Sequence, residues 1–131
     1  MNTAVAEAPK AETVRLTPPS DPQVRALYDY VQERFLWQFY SREKDRTRNI
    51  NGITEQATRL LVGEPVLRET PDQRLDAVDA KIMVDDFFVR CEWLKDTSAE
   101  RRRELMEGLR LALIDIAITR SKNHELTHSL Y

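Results

Sequence analysis

All six prolines of this chain lie at or before Pro71, and its 131 residues include only three glycines. Proline and glycine are the residues that break helices. The C-terminal half is therefore almost free of breaks, while the N-terminal half is cut into pieces. No stretch of useful length alternates apolar and polar residues in the manner of a half-buried strand. These limits predict an all-α fold: a compact bundle of about four main helices, with a flexible N-terminal arm and a C-terminal tail. The length suits one domain with a real core rather than two.

The punctuation places the elements. Residues 1–20 are rich in Ala, Pro, Glu, Thr and Lys with no apolar period, which predicts a flexible arm ahead of a helical domain over 21–131. Asp21-Pro22 reads as a cap followed by proline at the first helical position. Val24, Leu27, Tyr28, Val31 and Phe35 follow at helical spacing and carry the first helix to about Phe39. A second helix is predicted from about Arg46 to Val62, with Ile50, Ile53, Ala57, Leu60 and Leu61 as its stripe, ended by Gly63 and by Pro65 after it. Thr70-Pro71 repeats the cap-plus-proline start. The third helix has two apolar stripes, Leu75, Val78, Ile82 and Val89 with Asp86 on one, and Ala80, Met83, Val84, Phe87 and Cys91 on the other. A helix apolar on two faces touches more than one neighbour, so this one is expected at the centre of the bundle. Thr97-Ser98-Ala99-Glu100 matches a capping box with Thr97 as the cap. About five turns follow through Leu105, Leu109, Leu113 and Ile116, with Gly108 where another helix must come close. Thr119 to Tyr131 is expected as a polar terminal arm or short helix.

Composition removes several classes of function. Charged residues make up 32% of the chain and hydrophobic ones 41%, yet the net charge is only -2. Such a balance suits solvated amphipathic helices and argues against nucleic acid, whose binders carry a strongly basic face. No apolar run is long enough to span a membrane. Met1 to Leu16 lacks the apolar core of a secretory signal, and a cytoplasmic location is expected. Cys91 is the single cysteine, which excludes an internal disulfide and a multi-cysteine metal site; beside Phe87, Phe88 and Trp93 it reads as a small core residue.

The candidate chemistry is thin. His124-Glu125-Leu126-Thr127-His128 matches the zinc-peptidase pattern, in which two histidines one turn apart hold the metal and the glutamate activates water. A third protein ligand is still required, and the sequence runs only three residues past His128. An ordinary polar tail is the expectation, with a zinc hydrolase as the alternative. Asp79, Asp85 and Asp86 are expected to pair with arginines of a neighbouring helix. Arg101-Arg102-Arg103, flanked by Glu100 and Glu104, reads as a solvated face. Trp37 and Trp93 each suit a core position better than a small-ligand site. Leu36, Trp37, Phe39 and Tyr40 crowd four large apolar side chains into five residues, and Ser41-Arg42-Glu43-Lys44-Asp45-Arg46 follows at once. No catalytic device needs that layout, whereas aromatic residues beside arginines are what protein interfaces enrich. The residues alone thus describe a helical docking module, free-standing or part of a complex.

The order and spacing of several segments add a resemblance. Leu36-Trp37-Gln38-Phe39, Ser41-Arg42 and Asp45-Arg46, then Leu61-x-Gly63-Glu64-Pro65, Asp79-Ala80, Trp93, Gly108-Leu109, Ile118-Thr119-Arg120-Ser121-x-Asn123-x-Glu125-Leu126 and a terminal Tyr131 resemble the delta subunit of the alternative nitrogenases. The resemblance covers roughly residues 24–131. It implies a small all-helical chain that holds no metal cluster and docks on the catalytic alpha subunit. The iron-iron or iron-vanadium cofactor and the P-cluster are then expected in the alpha and beta subunits, and the iron protein reductase, which uses ATP, is a transient partner. Trp37 and Phe39 are implied as anchors, Ser41, Arg42 and Arg46 as orienting contacts, and Arg120, Asn123 and Tyr131 as a second polar contact or a lock on the tail. Histidine at 124 is not part of the family pattern. The N-terminal arm resembles the iron-only kind, which is favoured, while Asn49-Ile50-x-Gly52 and the tail look closer to the vanadium kind.

Overall fold

Asp21 opens the fold as the sequence predicts. Its Oδ1 accepts from the backbone N–H groups of Gln23 (2.9 Å) and Val24 (3.4 Å), and Pro22 takes the first helical position. The computed structural model describes the backbone of residues 18–35 and 46–129, and the side chains of 18–35 and 49–120. Helix α1 spans Pro22–Tyr30 and passes into a π-helical turn over Val31–Phe35. Helix α2 spans Arg46–Val62, α3 spans Pro71–Arg90, a 3-10 turn covers Glu92–Asp96, and α4 spans Ala99–Ser129. Among the described residues every regular element is helical.

Local chemistry explains the boundaries. Gly63 takes φ 82°, a left-handed conformation that costs a glycine nothing, and the Glu64 N–H reaches back to the Arg59 carbonyl at 2.8 Å. Thr70 caps α3 in a reciprocal box: its hydroxyl accepts from the Gln73 N–H, and the Gln73 side chain accepts from the Thr70 N–H, each at 3.1 Å. The cap expected at Thr97 falls one residue later and is a single cap, not a box, since Arg101 stands three residues after Ser98. The 3-10 turn claims Thr97, whose hydroxyl donates to the Trp93 carbonyl (3.0 Å) and whose N–H donates to Leu94 (3.2 Å). Ser98 caps α4 instead, accepting from the Arg101 N–H at 3.1 Å.

Helix α4 does not stop after five turns. It runs 31 residues, ~46 Å at the usual rise, so the expected tail is part of the same helix as far as Ser129. No proline or glycine follows Gly108 to interrupt it.

The core forms where α2 packs on both α3 and α4 and α1 lies along α4. Leu27, Val31, Phe35, Ile50, Ile53, Met83, Phe87, Leu94, Leu105, Leu109, Leu113 and Ile116 are all sealed from solvent. Helix α2 is therefore the central element, a place the two-stripe pattern had given to α3. Close approaches use glycine. A Cβ at Gly52 of α2 would stand 2.1 Å from Asp76 Oδ2 of α3, and one at Gly108 would stand 3.0 Å from Val24 of α1.

The three arginines at the head of α4 are partly exposed, as a solvated face would be, and each also makes a tie. Arg101 Nη2 bonds the Asp21 carboxylate at 2.7 Å and Nε bonds Gln23 at 3.1 Å. Arg102 donates to the carbonyls of Leu61 (2.7 Å) and Leu94 (2.8 Å), and its guanidinium lies 5.2 Å from the centre of the Phe88 ring. Arg103 pairs with Glu64.

Arg102→Ala should cost about 2–3 kcal/mol in chemical denaturation, because two carbonyls lose a charged donor. Arg103→Ala, which breaks a largely exposed pair, should cost under ~1 kcal/mol. The Arg101 guanidinium bonded to Asp21 holds that carboxyl below its ordinary value of 3.8; desolvation opposes this, and the Gln23 and Val24 amides add to the lowering. A lowered pKa means the pair stabilises the fold above that ordinary value and loses its effect as pH falls through the lowered one. Asp21→Asn should melt below the wild type at neutral pH, and the gap should close in acid.

Candidate docking surface

Helix α3 is apolar on opposite sides. Its inner side sends Ala77, Ala80, Met83, Val84 and Phe87 into the core. Its outer side carries Leu75, Val78, Ile82 and Val89 at 54, 59, 46 and 77% exposure. These four recur at helical spacing on the solvent face, with Asp86 set between Ile82 and Val89. Single exposed apolar residues are ordinary, whereas a contiguous row of them marks a contact surface. A shorter outward pair, Leu111 and Ile118, lies on α4.

Two hollows border the row and share Ile82. The first, of 540 Å³, lies between the end of α2, the connector and α3. Leu60, Val66, Ala77, Val78 and Ile82 form its floor, and Arg68, Arg74 and Lys81 its rim. The second, of 320 Å³, lies between the π-helical turn and α3, lined by Tyr30, Arg34, Phe35, Asp86, Val89 and Arg90 beside Ile82. Tyr30 organises it: the phenol donates to Asp86 at 2.5 Å, the ring meets Phe87 edge-on at 5.5 Å, and Arg90 lies 5.2 Å from the ring centre. Burial, with the Asp86 bond second, pushes the Tyr30 hydroxyl far above its ordinary value, so it stays a donor. A polar hollow of 410 Å³ between α2 and α4 differs in kind. Its Arg59, Arg103 and Arg110 face Glu55, Glu64 and Glu107 and neutralise one another there.

Gln56 holds the wall of the first hollow. It is buried on the apolar stripe of α2, donates to the carbonyls of Leu67 (2.7 Å) and Gln73 (3.1 Å), and accepts from the Leu67 N–H (2.8 Å). Sequence reading passed over it, although a glutamine set among Ile53, Ala57 and Leu60 was a visible signal. The acidic residues of α3 are also used differently from expectation. Asp85 pairs with Lys81 of the same helix at 2.7 Å, and Asp86 serves Tyr30.

Of the residues marked in the sequence for partner contact, Trp37, Phe39, Ser41, Arg42 and Tyr131 lie outside the described residues. Arg46 begins α2 and Asn123 lies within α4, with side chains outside the description. Arg120 is exposed on α4 and already engaged with neighbours. Positions 124 and 128 share one turn of α4, and their side chains too lie outside it. Trp93 is half-buried against the core. Cys91 is buried, and burial pushes its thiol up, away from the thiolate that metals and reactions use. Among the described residues no three His, Cys, Asp or Glu side chains gather to hold a metal ion. No described helix is long and apolar enough to cross a membrane.

The fold is an all-helical bundle, with one face of α3 turned to its own core and the other exposed. The chain belongs to the vanadium/alternative nitrogenase delta subunit family, whose model matches residues 21–131. It is 36% identical to the nitrogenase iron-iron protein delta chain of Clostridium pasteurianum over 113 residues, 86% of this chain and 97% of the relative. The chain of the same name from Rhodospirillum rubrum is 38% identical over 109 residues, covering 83% and 94%. That of Azomonas macrocytogenes is 34% identical over 111 residues, covering 85% and 99%.

Gln56→Ala should leave three backbone groups of the connector and α3 without their partner. A loss of roughly 2 kcal/mol in denaturation midpoint analysis is expected; an unchanged midpoint would show that the connector holds itself.

Proposed function

We propose that this chain is the non-catalytic delta subunit of a cytoplasmic iron-iron nitrogenase, docked on the catalytic alpha subunit through the outer face of α3. The exposed row Leu75, Val78, Ile82 and Val89 carries the reading. Covering such a row gains roughly 25 cal/mol for each Å² of apolar surface removed from water. The iron-iron assignment follows the names of the relatives. The cofactor and the P-cluster sit in the alpha and beta subunits, and the iron protein supplies electrons. The delta chain supports assembly, cofactor stability or reductase interaction while nitrogen is reduced to ammonia. Trp37, Phe39, Ser41, Arg42 and Arg46 extend the contact; Phe35, which leads into that segment, lines the same hollow as Ile82 and Val89. Arg120, Asn123 and Tyr131 make a second contact from the end of α4.

An affinity-tagged chain recovered under native conditions from nitrogen-starved cells tests this. The two large subunits should accompany it, with iron and without vanadium. Vanadium in the complex would overturn the metal assignment, and recovery of the chain alone would overturn docking. Ile82→Asp, at a position 46% exposed, should keep the melting temperature and weaken the association at least tenfold, about 1.4 kcal/mol. Equal recovery would move the contact off α3.

A further inference from the structure

The hollow between the end of α2, the connector and α3 has an apolar floor and a rim of one sign. We infer that it receives an acidic, amphipathic segment of the subunit on which the chain docks, a step that rests on the docking reading above. The segment lays its apolar side chains on Leu60, Val78 and Ile82 and its carboxylates on Arg68 and Arg74.

Charge carries the inference. No carboxylate lines this hollow. Lys81 is bonded to Asp85 at 2.7 Å, outside the lining. Arg68 and Arg74 make no ion pair among the described residues. One Arg74 nitrogen is fixed on the Arg68 carbonyl at 3.0 Å, which steadies the guanidinium and leaves its other donors open. Two guanidinium groups with no ion-pair partner among the described residues therefore stand beside apolar surface in a chain whose net charge is -2. Arginine presents a planar fork that carboxylates match in pairs. The other two hollows lack this bias: that between α2 and α4 is balanced by its own glutamates, and that at Tyr30 contains Asp86. A second copy of this chain is a poor occupant, because two such faces brought together would oppose arginine to arginine.

The test measures binding of the full-length chain to the alpha–beta complex isolated from a strain lacking delta, at low and at high salt. Wild type should bind more weakly as salt rises. Arg68→Glu/Arg74→Glu should weaken binding at low salt more than tenfold and flatten the salt dependence, and Arg68→Gln/Arg74→Gln should fall between. Val78→Asp should weaken binding at both salt levels, while Arg25→Glu on α1 should not. Circular dichroism melts confirm that each variant is folded. Wild-type binding by the double glutamate variant would overturn the acidic occupant while leaving docking intact if Ile82→Asp still disrupts it. A wild-type chain that does not bind at all would defeat the docking reading itself. A wild-type chain that sediments as a dimer, split by Val78→Asp, would give the face to a second copy and overturn the inference.

Discussion

The arginine triplet at the start of α4 constrains the rest of the molecule. Successive residues on a helix point about 100° apart, so Arg101, Arg102 and Arg103 address three different neighbours. They reach the cap of α1, the end of α2 with the 3-10 turn, and the connector after α2. Cations at a helix N-terminus oppose its dipole. Here each finds an acceptor that offsets the opposition, and Arg102 also closes the open carbonyl end of α2. The three ties gather at one end of the bundle and fix the frame on which α3 rides.

Helix α3 is the element that the frame does not enclose. It packs on α2 through its inner side, where Gly52 makes room for Asp76, and is pinned at its start by the Thr70 box and Gln56. Its outer side faces water. A helix with apolar residues on both sides would normally be buried on both. The bundle is one element short of doing so among the described residues, and the missing cover is what a partner would supply. The same geometry explains why the connector matters. Gln56 holds the backbone at Leu67, which sets Val66 and Arg68 against Val78 and Ile82 and turns a helix face into a hollow with a rim.

Much of this was legible in the sequence where the signal is local. Proline and glycine marked the C-terminal end of α2 and the start of α3, and Asp21 and Thr70 were readable caps because capping needs only a few adjacent residues. The cap at Thr97 missed by one, and no box forms, because two hydroxyls stand side by side and the 3-10 turn takes the first. The two stripes of α3 were also readable, but periodicity reports how many faces are apolar and not what lies against them. That is why α3 was expected at the centre, which α2 occupies. The ties of Arg102 were not readable, since the Leu61 carbonyl it bonds lies 41 residues away. The length of α4 was available in the lack of any breaker after Gly108. Membership in the delta subunit family was legible through spaced motifs, several of which fall on residues that do not line the described surface.

On the docking proposal, the outer face of α3 is covered in the assembled enzyme. Hydroxyl-radical footprinting of side chains, comparing the free chain with the intact nitrogenase complex, measures this directly. Leu75, Val78, Ile82 and Val89 should lose most of their labelling on assembly. Full labelling of those four in a complex that retains the chain, with protection appearing on Leu111 and Ile118 of α4 instead, would contradict it.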